Sequence, residues 1–409
     1  MPHQNTFKIK KLWWDQFPIQ LRLITKIRFF GSFGAGGVIY LTSLIFNNIG
    51  ISATAIGLGF TISAILGTIT RVITGNYLNK KNNIQLLLLI SSSLGIIASL
   101  VLIIADNKIL YIIGQSFIGS AAGIYWPTVE FAVPYLSHSI NTKKSYALVR
   151  SSEALGIFLG VLTGSFLNSF FYFKSIYFVD IFCLLMIIYL TSNKKNQIYI
   201  FFNAQIKQSK TILDNNKEIW NINTKIILTS IILITTCLAL IQVTLPLDFV
   251  KGGLYRNPIS SEITSYVISS QLIFLFLLQW PIGSWLANKG NLFGLKLSLT
   301  TFSISSMLLF ASSYSNLFGF YFMIIAIIFF GLGTASFLPS STDIVFKIAP
   351  PNKKGFAFAI LSQCFALGYL FGPSISGKIL DQYGNASLIW LGISILSFSN
   401  LYLIFKKKL

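Results

Sequence analysis

The stretch Gly75–Asn83, GNYLNKKNN, closes one long apolar run and opens another. A near copy, Gly283–Asn291, GSWLANKGN, recurs in the second half of the chain. Each copy reads as a helix end in small or apolar residues, then an Asn-Lys pair, then a short polar turn into a further apolar run. A polar hairpin repeated between apolar runs divides the chain into two related halves.

The chain has 409 residues, of which 54% are hydrophobic and only 10% charged, with a mean hydropathy of +0.71. A soluble protein of this length has more surface to keep polar than so few charges cover. Apolar runs of about 20 residues, each long enough to cross a bilayer, recur from one end to the other. The reading is an all-α integral membrane protein with twelve spans. The net charge of +20 invites a nucleic-acid partner, but the positions of the cations exclude it. With a cytoplasmic N-terminus and twelve spans, 26 of the 31 Lys and Arg residues fall on inner segments and adjoining helix ends. The positive-inside rule then places both termini in the cytoplasm.

The expected spans are 27–46, 53–75, 84–105, 109–131, 146–168 and 174–192, then 225–249, 262–286, 292–312, 316–340, 355–378 and 386–405. They group into an N-terminal six-helix bundle, 27–192, and a C-terminal one, 225–405. Residues 1–26 carry Trp13, Trp14 and Phe17 among basic residues, as an interfacial segment does. No cleavable signal precedes the first span. Residues 193–224 are the long hydrophilic interval, expected as a linker helix along the inner surface, and 406–409 form a basic tail. Lys251–Pro258, KGGLYRNP, is the longest outer loop. Cys183, Cys237 and Cys364 lie in apolar runs without metal-ligand spacing. No metal, cofactor or nucleotide site is expected, and no set of residues suits an enzyme.

The repeat extends beyond the hairpins. Gly119, Gly123 and Pro127 (GSAAGIYWP) correspond to the stretch Gly331 to Pro339 (GLGTASFLP). Lys143-Lys144 and Lys353-Lys354 each open a span that carries a glycine stripe: Gly156, Gly160 and Gly164 in one, Gly368, Gly372 and Gly377 in the other, with Pro373 beside them. Small residues at this spacing let helix backbones approach closely in lipid, and the stripes are expected to act as sliding surfaces between the halves.

These features resemble the major facilitator superfamily of secondary transporters, whose two six-helix halves are related by an axis along the membrane normal. The hairpins resemble its signature G-x-L-A-D-R-x-G-R-R. Leu286-Ala287-Asn288-Lys289-Gly290 follows the pattern with Asn for Asp, and Gly75, Asn79 and Lys80 do likewise. The resemblance covers nearly the whole chain. It implies alternating access with a cytoplasmic gate at Gly75, Asn79, Lys80, Lys81, Glu130, Asn288, Lys289 and Asp343. In that gate Glu130, at the end of span 4, pairs with Lys80 or Lys81, and Asp343, at the end of span 10, pairs with Lys289. Three departures stand out. Asn replaces Asp in both hairpins, Gln115 stands where the family carries an arginine in span 4, and the Gly-Pro pair of span 5 occurs instead as Gly372-Pro373 in span 11.

Charged and amide residues inside spans are the candidate site, because a charge at mid-bilayer costs about 2.5–3.5 kcal/mol on insertion scales. Glu153 lies in span 5 with Arg150 three residues earlier, so the two can neutralise each other on one face. Glu153 is then either a coupling or substrate residue or half of a structural ion pair. Asp180, in span 6, is either a further site residue or a polar group reaching water at the interface. Gln115 and Gln242 fall in spans 4 and 7, which line the cavity in the family, and each is either a neutral cavity group or a partner in an interhelical hydrogen bond. GSFGAGG at 31–37 lies inside an apolar run and suits helix packing better than a nucleotide.

The expected function is secondary active transport of a small organic solute by a monomer in a bacterial inner membrane, coupled to a proton or sodium ion. Efflux of amphipathic compounds comes first, because the cavity spans hold few fixed charges and many aromatics. Uptake of a sugar or other neutral metabolite is the alternative. A transporter-like receptor, pigment-binding or assembly factor is the alternative from another class.

Overall fold

Each apolar run is stopped and restarted by residues that cap or turn it. Asn83 accepts from the Leu86 amide at 3.0 Å, and Asn107 accepts from Ile109 and Leu110, each at 3.0 Å. Such side chains satisfy amides that a helix start leaves without partners. Gly50, Gly252 and Gly384 take positive φ values of 93°, 86° and 71° at three of the turns, where a side chain would be strained.

The computed structural model describes residues 13–81, 83–137, 142–170, 174–193, 222–287, 289, 291–348 and 354–406. After a 3-10 turn at Trp13–Gln16, the first half comprises α1 (Ile19–Asn48), α2 (Ala53–Lys81), α3 (Ile84–Ile104), α4 (Lys108–Leu136), α5 (Thr142–Ser169) and α6 (Ser175–Ser192). The second comprises α7 (Ile222–Lys251), α8 (Ser261–Ala287), α9 (Asn291–Ser313), α10 (Gly319–Ile348), α11 (Lys354–Tyr383) and α12 (Ser387–Lys406). Among the described residues, ten of these helices are long and apolar enough to cross a membrane. The exceptions are α5 and α11, the two that carry the glycine stripes. The interval expected as a linker helix lies almost wholly outside the described residues.

Several helices outrun their expected spans. The first begins at Ile19 rather than 27, so part of the expected interfacial segment belongs to it, and α2, α4 and α10 continue to Lys81, Leu136 and Ile348. The apolar run marks the part of a helix that suits lipid, whereas its hydrogen bonding continues into polar sequence. Glu130 and Asp343 therefore sit within their helices and do not end them.

The two halves are built alike. In the first, α1 packs on α5 and α6, α3 on α4 and α6, and α2 on α4; in the second, α7 packs on α11 and α12, α9 on α10 and α12, and α8 on α10. The halves meet through α2 with α11, α5 with α8, and α1 with α7. The result is an all-α fold of two pseudo-symmetric six-helix bundles.

The glycine stripes correct one expectation. Added side chains at Gly156 and Gly160 would strike the α1 backbone at Phe29 and Phe33, and one at Gly368 would strike α7 at Thr235. They hold α5 to α1 and α11 to α7 inside each half and are not sliding surfaces between halves. Gly377 is different, since its face meets Ala53 of the other half.

The start of α1 and the end of α12 lie at one end of the bundle, called here the terminal end. Hydrogen bonds between described residues of the two halves lie at mid-depth or toward the other, distal end. Thr61 donates to the Leu370 carbonyl at 2.9 Å, Ser165 lies 2.8 Å from Ser269, and Ser261 donates to Asn48 at 2.8 Å. On α2 the face that meets α11 through residues 54, 57 and 61 continues toward the terminal end as Ile65 and Val72. These two are 43% and 53% exposed. Gly75 and Gly283 have nothing within 4 Å of the positions where side chains would begin. Among the described residues, the halves are therefore sealed at the distal end and parted at the terminal end.

Candidate functional site

Four charged side chains from α1, α4 and α5 converge in the terminal part of the first half. Arg28, 1% exposed, donates to Glu153 at 2.7 Å and lies 3.5 Å from Glu130. Arg150 donates to Glu130 at 2.7 Å and to Glu153 at 3.0 Å. The Trp126 ring covers the Arg28 guanidinium, 4.1 Å from its centroid, which adds a cation–π attraction. These four groups set two cations against two anions, which lowers the cost of burying any one of them, and the charge of Arg71 on α2 also acts on Glu130. The expected Arg150–Glu153 pair is present, and Arg28 is the partner that sequence reading missed.

Glu130 meets Arg150 and Arg28. The side chains of Asn79, Lys80, Lys81, Asn288 and Asp343 fall outside the described residues, so their expected gate pairs do too. Lys289 is exposed, with its Nζ 5.9 Å from the Trp285 ring centroid.

The remaining candidates separate. Asp180 is 5% exposed and accepts from Ser99 at 2.6 Å; it fits against the bare face of Gly34 on α1. It therefore faces the interior of its own half and does not reach water, because α6 turns that side toward α1 and α3. Gln115 is 1% exposed. It shares a face with Gly119 and Gly123, which press on α2 at Ser63 and Gly67, so it is packed between helices and does not line a cavity.

Gln242 behaves differently. Its amide nitrogen lies 3.3 Å from the Tyr40 hydroxyl of the other half, and its amide oxygen accepts from Tyr369. Tyr40, Gln242 and Tyr369 thus join α1, α7 and α11 at mid-depth, where the sealed and parted regions meet. Both ends of the amide are engaged without any formal charge. Phe158 and Phe276 stack across the halves between α5 and α8, with centroids 6.5 Å apart.

A second buried pair lies at the distal end. Arg256 donates to the Asp248 carbonyl at 2.8 Å and to Ser312 at 2.6 Å, and its Nη2 lies 3.2 Å from the Asp248 carboxylate. Trp390 and the Ala386 amide complete that carboxylate, at 3.1 and 3.2 Å. This staple fastens the loop before α8 to α7, α9 and α12. Among the described residues no group of His, Cys, Asp and Glu could hold a metal ion.

Comparison with known proteins agrees with this architecture. The family model described as Major Facilitator Superfamily matches residues 27–255 and 227–408. The chain belongs to this superfamily. The quinolone resistance protein NorB of Staphylococcus aureus is 38% identical over 72 residues, covering 18% of this chain and 16% of that protein. A multi-drug resistance efflux pump PmrA homolog of Lactococcus lactis is 30% identical over 71 residues, covering 17% and 18%. The alignments thus span less than a fifth of these relatives. The nucleoside transporter NupG superposes with a TM-score of 0.75 at 15% identity, covering 95% of this chain and 98% of that one. A POT family transporter bound to 5-aminolevulinic acid reaches 0.77 at 10% identity, covering 95% and 96%. The structural likenesses carry the fold alone.

Proposed function

We propose that this protein exports small amphipathic, largely uncharged solutes from the cytoplasm of a bacterium by alternating access. In this reading the terminal end faces the cytoplasm, and the described conformation is the one that loads cargo. The observation that carries the proposal is the Tyr40–Gln242–Tyr369 junction. It lies between the halves at the closed end of the parted region, offers neutral donors and acceptors, and includes two tyrosine rings. A pocket of apolar walls with a few placed polar groups selects solutes of matching character. The curated relatives, named for quinolone resistance and multidrug efflux, support export over uptake.

Uphill export needs an ion gradient in this reading, with a proton or sodium ion as the coupled species. Of the two buried acids in the first half, Glu153 is engaged by two arginines, whereas Asp180 has only Ser99. We favour Asp180 as the coupling residue because no described cation holds it, and in this reading water reaches it only when the halves change conformation. The four-charge cluster around Glu153 then serves to fasten α1, α4 and α5 together.

The test is transport of a labelled quinolone by proteoliposomes under an imposed pH or sodium gradient. Gln242→Leu removes both polar contacts and is expected to lower transport at least tenfold, with the protein still folded. Asp180→Asn is expected to abolish gradient-driven transport while leaving exchange of solute for solute. Uptake of a labelled nucleoside, with no movement of quinolone, would replace export by the uptake reading. Failure to move any solute would favour the receptor or assembly-factor reading.

A further inference from the structure

The N-terminus of α2 is completed by a residue of the opposite half. A helix leaves its first amides without internal partners. Here Ser52 accepts from Ala55 at 3.3 Å, which leaves Ala53 and Thr54 to be satisfied. Asp381, in the last turn of α11, supplies both: its carboxylate accepts from the Ala53 amide at 3.1 Å and the Thr54 amide at 2.7 Å. The Thr54 hydroxyl adds a third bond at 2.7 Å. Lys251, at the end of α7, donates to the same carboxylate at 2.9 Å. A negative charge at a helix N-terminus is also favoured by the helix dipole.

This cap differs from the caps at Asn83 and Asn107, which belong to the helices they close. It exists only while α2 and α11 lie together. The backbones beneath it touch at two further points, since side chains at Gly57 and Gly377 would collide with the Pro373 and Ala53 carbonyls. Apolar contact and backbone fit set how close the halves can come. The Asp381 carboxylate adds a charged bond that water can replace, because its side chain is 26% exposed.

We propose that Asp381 is the latch of the distal seal: it holds the terminal-open conformation by capping α2 across the halves, with Lys251 aiming the carboxylate. Opening the distal end breaks the cap in one step and hands the two amides to water. The latch concerns the balance between conformations and does not rest on the identity of the solute.

The test is a pair of spin-label distance measurements on purified protein without solute. One pair, at Lys108 and Leu317, spans the distal end, and the other, at Asn76 and Lys289, spans the terminal end. The native Cys183, Cys237 and Cys364 are buried, which keeps background labelling low. Loss of a carboxylate cap shifts a population ratio by roughly tenfold. Asp381→Ala is therefore expected to populate longer distal and shorter terminal distances by about that factor. Asp381→Asn, which keeps an acceptor but not the charge, is expected to shift less, and Lys251→Ala less again. Thr54→Ala leaves the acid in place and removes one bond, so it is expected to shift both distances the same way by a smaller factor, and with Asp381→Asn it carries the test if Asp381→Ala does not accumulate. Unchanged distal distances in Asp381→Ala, or in Thr54→Ala and Asp381→Asn together, would overturn the latch.

Discussion

Replacing Arg28 tests whether the four-charge cluster is an energetic unit or a set of neighbours. Arg28→Met keeps most of the apolar stem and removes the guanidinium that bonds Glu153 at 2.7 Å. Arg150 then still bonds both carboxylates. Removing one partner of a buried pair costs about 3–5 kcal/mol. Here Arg150 still holds Glu153 and is itself 41% exposed, so water and the remaining cation offset part of the loss. The expected cost is near the lower bound, about 3 kcal/mol. If the first half melts as a unit, that lowers its midpoint by about 6–12 °C. Glu153→Gln strands Arg28 instead, with Glu130 at 3.5 Å as its remaining partner, and is expected to cost a similar amount. The double variant restores the balance of charge and leaves the Arg150–Glu130 pair intact. It should therefore lose much less than the two single losses added together. The assay is thermal unfolding of all four proteins in one detergent, followed by near-ultraviolet fluorescence, in which Trp126 over Arg28 takes part. Strict additivity of the two single losses would refute the reasoning, because uncoupled residues add.

At the distal staple, Asp248→Asn leaves Arg256 buried beside a neutral partner and is expected to cost about 3 kcal/mol or more, read as a lower melting midpoint. Gly160→Val would force α5 off the α1 backbone at Phe33 and is expected to cost about 1–3 kcal/mol, whereas Gly392→Ala, with nothing within 4 Å, should be close to neutral in the same melt. Gly75→Ala and Gly283→Ala meet no neighbour in this conformation. They should leave the midpoint unchanged and reduce the population with a short Asn76–Lys289 distance; a lowered midpoint would show that the open space at these positions has been misread.

The architecture was legible because its signals are local and repeated. Each apolar run announces its helix, each hairpin repeats within the chain, and the glycines stand at spacings that only close helix packing uses. The charged site was legible in part. Arg150 and Glu153 are three residues apart, so the helix itself predicts their meeting. Arg28 lies 125 residues from Glu153 and 102 from Glu130, and nothing local joins them. It was counted among the basic residues of an inner segment because the first helix was expected to begin at 27. Its helix in fact starts at Ile19, which places Arg28 more than two turns inside. The available signal was an imbalance: Glu130 and Glu153 carry two negative charges, and Arg150 balances one of them. Asp381 escaped for the same reason, since the α2 amides it caps stand more than 300 positions earlier in the chain.

Glycine shows why one residue type could be read for packing and still be misplaced. Gly156, Gly160 and Gly368 press on helices of their own half, and their role is fixed in any conformation that keeps the halves intact. Gly57 and Gly377 press on the opposite half, so their contacts last only while the distal end is shut. Gly75 and Gly283 press on nothing, yet they occupy matching places in the two hairpins. A residue without a side chain is needed where something approaches closely, and nothing approaches these two here. Under alternating access their neighbours arrive when the terminal end closes, as those of Gly57 and Gly377 do now at the other end. The sequence thus holds the packing requirements of two conformations together, and a single structure separates them by showing which glycines are already in contact.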